Sequence, residues 1–219
     1  MVHTLFESMI TLQFVCLVLE LWERFRTVNA SLRESLPPLR APEMRALFGG
    51  APPSPPPARP GGLRRLREAY VASARAAELL QRHFGWALAV EVAYSVAGAL
   101  CSSYEIVRMA AGPRGRVRLA LSGAVSTSAL WLAYHCLRLA ATSLACAAAA
   151  AAAADTGVLL LRAWALSDWR SAELDRFLRL ALHGPPLRFT AAGLVRVDRR
   201  LLVSAIAVVV TYLVVLSQH

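Results

Sequence analysis

Polar side chains recur on one face of the last apolar segment of the chain. Within residues 200–218, the sequence places Ser204, Val208, Thr211, Val215 and Gln218 at successive spacings of four, three, four and three. In a helix this spacing puts all five on one face, and three of them can form hydrogen bonds with water. In a membrane, such a stripe either packs against neighbouring helices or lines a narrow aqueous path, where copies around an axis give alternating polar and apolar rings. The residues alone leave both interpretations open.

Catalytic and metal-binding patterns do not accompany this stripe. The five histidines are scattered, and the sequence contains neither H-E-x-x-H nor G-x-S-x-G nor a glycine-rich phosphate loop. Cys16, Cys101, Cys136 and Cys146 lack C-x-x-C spacing, so we interpret them as small packing residues rather than disulfide partners or zinc ligands. We therefore expect no enzyme activity, no catalytic residues, no cofactor and no metal site.

The apolar composition indicates a membrane protein. Hydrophobic residues make up 57% of the 219 residues, more apolar surface than one soluble core of this size can bury. Four stretches are long enough to cross a bilayer as helices of roughly 20 residues: 4–22, 86–107, 119–140 (continuing through an alanine tract to 154) and 200–217. The predicted fold class is an all-α membrane protein with four transmembrane helices and cytoplasmic helical extensions.

The charge distribution predicts a topology. All 24 basic residues are arginine and the net charge is +10. Eleven lie between Arg24 and Arg82 and eight between Arg162 and Arg200, whereas the short middle loop has four. Because arginine clusters lie between spans, we expect no nucleic-acid partner. The positive-inside rule assigns the first and third connections to the cytoplasm and the carboxyl terminus to the outside.

Composition divides the chain into three predicted parts. Residues 1–36 hold the first span and its cytoplasmic extension. Residues 37–62, with nine of the twelve prolines, form a disordered linker. Residues 63–219 form a three-span region with anchor helices at 63–85 and 155–199 and a last helix at 200–218. Before that last helix, Gly193 marks a turn and Asp198 is placed to cap the helix. Two apolar stripes predict the amphipathic helices of this region: Leu63, Leu66, Tyr70, Ala77, Leu80 and Phe84, and Leu174, Phe177, Leu178 and Ala181.

A few polar and aromatic residues inside the spans could border a ligand pocket. The candidates are Tyr94, Tyr104, Trp131 and His135, with Glu91 nearby. Tyr104 and Trp131 could equally be interfacial or packing aromatics, and His135 could be satisfied by a hydrogen bond between helices. Arg138 is interpreted as reaching towards the cytoplasmic headgroups.

Two motifs resemble the carboxyl-terminal half of insect gustatory receptors. The string FTAAGLVRVDRRLLVSAIAVVVTYLVVLSQ, residues 189–218, is similar to that family's F-[TS]-A-x-G-hydrophobic-x-x-[ILV]-D-x-x-L-L segment, followed by a last helix ending T-Y-five hydrophobic residues-Q-F. The matching residues are Phe189, Thr190, Ala191, Gly193, Asp198, Leu201, Leu202, Thr211, Tyr212 and Gln218. A weaker string, LVLELWERFRTVNASL at residues 17–32, resembles the family's hydrophobic-x-x-R-F-x-x-[ILV]-N-x-x-L motif. His219 stands where the family usually has Phe.

The resemblance implies a tastant-gated, non-selective cation channel in the plasma membrane of chemosensory neurons. It implies that the chain corresponds to spans 4–7 of a seven-span receptor, with the first three spans missing. It also implies a tetramer of identical or different gustatory receptor subunits whose ligand is a small-molecule tastant. Such a shortened chain is expected not to respond to tastants by itself. The last helix would line the pore, which gives the stripe residues and His219 a pore-lining role, and the cytoplasmic extensions would join subunits within the lipid-embedded assembly. The alternative is a non-conducting four-span membrane protein that acts in assembly or as an adaptor.

Overall fold

The described part of the chain is almost entirely helical. The computed structural model describes residues 2–35, 62–111, 118–166 and 171–217. Their elements are, in order, α1 (Val2–Ser35), α2 (Gly62–Ala111), α3 (Arg118–Leu166), α4 (Ala172–His183), β1 (Thr190–Ala191), β2 (Val195–Arg196) and α5 (Arg199–Ser217). The predicted helical class is confirmed, with one short hairpin added. The predicted linker lies outside the described residues except for Gly62, which begins α2.

Two of the described helices are long and apolar enough to cross a membrane. They are Gly62–Met109 and Ser126–Ala165, and they contain the predicted second span and most of the predicted third. The other two predicted spans, 4–22 and 200–217, lie in α1 and α5, which do not meet that test over the residues described. The count of four spans therefore stays a prediction.

The chain divides into two compact units. The first combines Met1–Val18, Leu80–Ala147 and Arg188–His219. The second combines Leu19–Leu79 with Ala148–Leu187. Helices α1, α2 and α3 each contribute to both units, as expected if apolar spans continue into amphipathic extensions.

The second unit is a helical bundle around an aromatic and aliphatic core. The ring of Tyr70 lies 5.6 Å from that of Phe25 and 5.6 Å from that of Phe177. The predicted face of α4 is confirmed, because Leu174, Phe177 and Leu178 are buried. Ser171 caps α4 by accepting a hydrogen bond from the Leu174 N–H at 3.1 Å. Both predicted stripes therefore lie on helices, and their residues from Leu63 to Ala77 and from Leu174 to Ala181 belong to this bundle.

One buried polar pair lies inside this bundle. The Asn29 side chain donates to the carbonyl oxygen of Ala152 at 2.8 Å, and the Thr156 hydroxyl donates to Asn29 Oδ1 at 2.7 Å. Both side chains are buried. Since an alanine-rich surface has few features that fix register, these bonds specify how α1 lies along α3 in this unit.

In the first unit, α2 and α3 meet in an antiparallel seam with a repeat of seven residues. The Thr142 hydroxyl donates to Glu91 at 3.2 Å, and the Ser128 hydroxyl donates to Glu105 at 2.7 Å. Midway between these pairs, Gly98 lies against the ring of His135. On each helix the three positions are seven apart, the spacing that keeps one seam in contact along two wound helices.

Candidate functional site

The predicted turn before the last helix is a tight hairpin. Strand β1 pairs with β2 in antiparallel register, with Thr190 opposite Arg196 and Ala191 opposite Val195. The turn is closed by the Leu194 N–H donating to the Ala191 carbonyl oxygen at 2.9 Å. Its central residues, Ala192 and Gly193, have φ of 52° and 76°, as a type I′ turn requires. Glycine at position 193 meets that requirement without steric cost.

Helix α2 holds this hairpin through one side chain that the sequence did not single out. Gln81 Oε1 accepts from the Thr190 N–H at 2.8 Å, and Gln81 Nε2 donates to both the carbonyl oxygen and, at 2.7 Å, the hydroxyl of Thr190. One turn later, the Gly85 carbonyl oxygen accepts from the Ala192 N–H at 2.8 Å. The family motif residue Thr190 therefore has a direct structural role.

Aromatic packing seats the start of the hairpin. Phe189 is buried, and its ring lies 6.3 Å from that of Phe14 in an edge-to-face arrangement. The ring of Phe14 lies 5.5 Å from that of Phe84. Such aromatic pairs contribute more stability than the burial of their apolar surface area alone. Phe189 of the motif thus packs on Phe14 of α1, which in turn packs on Phe84 of α2.

The predicted cap of the last helix is confirmed. Asp198 Oδ1 accepts from the Arg200 N–H at 2.8 Å, and the Asp198 carbonyl oxygen accepts from the Leu201 N–H at 3.1 Å. These bonds satisfy amide groups that have no partner within the first turn of a helix. The motif residues 189–198 therefore form one continuous segment, a hairpin followed by a helix cap, from which α5 begins.

The predicted stripe on α5 lies on an exposed face of the chain. Ser204, Val208, Thr211 and Val215 are all exposed, whereas Leu201 and Ala205 are buried. The Thr211 hydroxyl donates to the Ala207 carbonyl oxygen at 2.8 Å. Gln218 and His219 lie outside the described residues. The described residues therefore leave this part of the stripe exposed.

Tyr212 of the motif lies off the stripe and is 55% exposed. Several apolar neighbours on α5 are also exposed: Val203, Ile206, Val210 and Val214. Beyond its first two turns, α5 thus presents most of its described surface outward. The described residues therefore leave much of the Tyr212 side chain uncovered.

Three of the four predicted pocket residues come together in the first unit. The ring of His135 lies 5.2 Å from that of Tyr94 and is stacked 5.9 Å from that of Trp131. The cluster also contains Tyr134, whose ring lies 5.3 Å from that of His135. His135 is buried, and its Nδ1 has no hydrogen-bond partner among the described residues. Tyr104 is 39% exposed and is not among the ring contacts of this cluster.

The interpretation of Arg138 as reaching to the headgroups is wrong. Its side chain is buried and lies 3.7 Å from a carboxylate oxygen of Glu91 and 3.8 Å from one of Glu7. The guanidinium also donates to Thr11 at 2.9 Å and to the hydroxyl of Tyr134 at 3.1 Å. A charge in a membrane segment is favourable when it faces such partners. Because Glu7, Thr11 and Glu91 belong to other helices, the sequence of α3 alone did not reveal them.

The described residues hold no group of three or more His, Cys, Asp or Glu side chains suited to a metal ion. The four cysteines have free thiols, and Cys146 is buried. What the first unit brings together is therefore a buried charge cluster, an aromatic cluster around His135 and an anchored helix with an exposed polar stripe.

Comparison with known proteins gives two findings. The family model described as 7tm Chemosensory receptor matches residues 1–219. Among solved structures, the fold is similar to the insect olfactory receptor OR5 from Machilis hrabei in complex with eugenol, with a TM-score of 0.66 and 17% sequence identity. The similarity covers 95% of this chain and 47% of that chain, so the present sequence spans about half the length of that receptor. None of the curated proteins matches this chain.

Proposed function

Because the chain belongs to the 7tm chemosensory receptor family, a family of multi-pass membrane receptors and not of enzymes, we propose that it is a subunit of a tastant-gated cation channel of the gustatory type. The single observation that carries the channel proposal is the exposed stripe of α5. Ser204 and Thr211 point away from the chain's own core on a helix whose packed side is defined by Leu201 and Ala205. A polar face on a membrane helix favours contact with protein or water over lipid.

Four copies of α5 around an axis would place rings of Ser204 and Thr211 between rings of Val208 and Val215. Hydroxyl oxygens can replace part of a cation's hydration shell, and the valine rings supply apolar constrictions. In this proposal Gln218 and His219 continue the stripe at the outer end, and the subunits are identical or belong to related receptors. The resemblance of the 189–218 motif to gustatory receptors supports the gustatory assignment over the olfactory one.

The proposed ligand site surrounds His135. Buried Nδ1 of His135 can accept a hydrogen bond from a hydroxyl group or an amine, and Tyr94 and Trp131 offer aromatic faces beside it. The solved receptor similar in fold was studied in complex with eugenol, a small molecule, which supports a small-molecule ligand here. We retain Tyr104 as a fourth candidate on the same helix as Tyr94.

The experiment is scanning cysteine modification during whole-cell recording. The cells co-express the chain with other gustatory receptor subunits, because the chain is expected not to respond by itself, and a panel of tastants is applied. The background replaces Cys16, Cys101, Cys136 and Cys146 by Ser. If α5 lines the pore, Ser204→Cys and Thr211→Cys should be blocked by a cationic thiol reagent, whereas Ile206→Cys should not. Ile206 is the matched control, because it is also exposed on α5 but lies off the stripe.

The competing function is a non-conducting assembly or adaptor protein. Under that hypothesis no tastant evokes a cation current and the stripe packs against other chains. Absence of current despite surface expression, with cysteine pairs on the stripe cross-linking between subunits, would favour the assembly protein.

A further inference from the structure

The outer edge of strand β1 is completed by a side chain instead of by a third strand. In the hairpin, the Phe189 carbonyl oxygen accepts from the Val197 N–H at 2.9 Å, so the backbone groups of Thr190 point to the opposite side, as alternation along a strand requires. There the primary amide of Gln81 accepts from the Thr190 N–H and donates to its carbonyl oxygen. The Gln81 amide therefore occupies the place that the backbone of a neighbouring strand would take.

This pairing is specific to a primary amide. A carboxylate can accept from the Thr190 N–H but has no hydrogen to donate to the carbonyl oxygen, and an aliphatic side chain offers neither group. The pairing also joins segments that are far apart in the sequence: Gln81 lies on α2, and Thr190 lies nine residues before the start of α5.

The second attachment lies on the same face of α2. Gly85, four residues after Gln81, accepts from the Ala192 N–H, and Phe84 packs on Phe14, which also contacts Phe189. Residues three and four apart share a helix face. One face of α2 therefore holds the hairpin at its edge, its turn and its entry.

The hairpin leads into α5 without a flexible joint. Val197 is buried, and Asp198 caps the first turn through the Arg200 N–H. Further along α5, the buried described side chains are Leu201 and Ala205, and those facing outward include Val203 at 69% and Ile206 at 64% exposure. The direction of α5 within this chain is consequently fixed at its beginning.

We propose that Gln81 is a positioning residue that sets the direction of α5 by holding the hairpin to α2, so that a displacement of α2 is transmitted to α5. The inference rests on the proposed function only in treating α5 as the pore helix. The mechanical link between α2 and α5 is independent of what α5 lines. Gln81 contacts neither the stripe nor the aromatic cluster, so its effect on a channel would be on coupling.

Amide hydrogen exchange on the detergent-solubilised chain tests the link without any need for conduction. The variant is Gln81→Leu, which removes all three hydrogen bonds, and Gln81→Glu is the same-shape variant that removes only the donor. Arg82→Gln is the control, because it lowers the net charge by one at the adjacent exposed position, as Gln81→Glu does. Unchanged exchange in residues 19–35 and 62–79 establishes that each variant is folded.

In Gln81→Leu, exchange should accelerate about tenfold or more at Thr190 and Ala192 and also at Val197 and Leu201, as expected when hydrogen bonds that hold a local unit are lost. Gln81→Glu should show the same pattern with a smaller increase, and Arg82→Gln should match wild type. Acceleration confined to Thr190 and Ala192 would show that Gln81 only closes the strand edge, and it would overturn the positioning role. Wild-type exchange throughout would overturn it as well.

A second arm uses tastant-evoked current from cells that co-express the chain with other gustatory receptor subunits, at equal surface labelling. Gln81→Leu should lower the maximal current about fivefold or more, the size of a typical coupling between sites, and Arg82→Gln should not. If wild type conducts and Gln81→Leu gives the full current, the proposal that a displacement of α2 is transmitted to α5 through Gln81 is wrong. If wild type does not conduct, the proposed channel function fails, and the exchange experiment still decides the role of Gln81.

Discussion

His135 lies directly against Gly98, with no space for a side chain between the two helices. A Cβ on Gly98 would come within 2.6 Å of His135 Cδ2, closer than unstrained carbon atoms pack. The imidazole cannot swing away freely, because it is 4% exposed and the rings of Tyr94, Trp131 and Tyr134 surround it. Glycine at this position is therefore what permits α2 and α3 to approach while keeping His135 inside the seam.

Gly98→Ala should destabilise the first unit. Inserting a methyl group into a well-packed site costs about 1–3 kcal/mol, which exceeds the gain in helix propensity of about 1 kcal/mol for replacing Gly by Ala. The thermal unfolding midpoint of the detergent-solubilised chain should fall. In a His135→Ala background the same substitution should be neutral or stabilising, because the overlapping ring is gone.

Gly157→Ala is the matched control for this prediction. Gly157 is a buried glycine inside a long helix, α3, as Gly98 is a glycine inside α2, but a Cβ on Gly157 would meet Leu182 Cδ2 at 3.5 Å, an ordinary contact. This variant should keep or raise the unfolding midpoint. A fall in midpoint equal to that of Gly98→Ala would mean that loss of glycine itself, and not overlap with His135, is responsible.

Sequence patterns predicted the elements whose information is local. The stripe Leu174, Phe177 and Leu178 repeats at helical spacing, and α4 buries those three residues. Asp198 precedes an apolar run, and it caps α5. Propensity, periodicity and capping depend on neighbours within a few residues, so one sequence is sufficient to read them.

Contacts between distant segments could not be read in the same way. From the sequence, Arg138 is interpreted as reaching towards the headgroups, whereas in the structure its partners Glu7 and Glu91 lie on α1 and α2. Gln81 reads as one more polar residue in an amphipathic helix, although it pairs with Thr190. The only sequence signal for either was a polar residue on a face otherwise used for packing. That signal does not name the partner.

Arg138→Leu should be strongly destabilising. The substitution leaves Glu7 and Glu91 without the guanidinium that lies 3.8 Å and 3.7 Å away. Removing one partner of a buried ion pair typically costs about 3–5 kcal/mol. Urea or thermal unfolding in detergent should show the loss, and Arg162→Leu, an exposed arginine on the same helix, should change stability by about 0.5 kcal/mol or less.

Adding Glu91→Gln to Arg138→Leu should recover part of the lost stability, since one of the two carboxylates is then neutral. Equal losses in Arg138→Leu with and without Glu91→Gln would contradict the electrostatic explanation. That outcome would leave the packing of the arginine side chain, including its contact with the Tyr134 ring at 5.4 Å, as the cause.

The buried pair Asn29 and Thr156 should be coupled in the second unit. Thr156→Val removes the donor to Asn29 Oδ1 while keeping the side-chain shape, and leaving a buried polar atom unpaired costs about 1–3 kcal/mol. In a double-mutant cycle with Asn29→Ala, the two losses should be less than additive. Thr27→Val is the control, because Thr27 lies on the same helix as Asn29 but is exposed. Additive losses for Asn29→Ala and Thr156→Val would show that the two residues do not act as a pair.

The membrane orientation gives a prediction that does not depend on conduction. The arginine-rich first connection predicts that residues 36–61 face the cytoplasm and that the end of α5 faces outward. An epitope tag joined after His219 should therefore be labelled by antibody on intact cells, and a tag inserted at Ser54 should be labelled only after permeabilisation. Both tags should be labelled after permeabilisation, which controls for expression and epitope access. If the Ser54 tag is labelled on intact cells and the His219 tag is not, α5 ends in the cytoplasm, and its stripe cannot form the outer end of a pore in the proposed orientation.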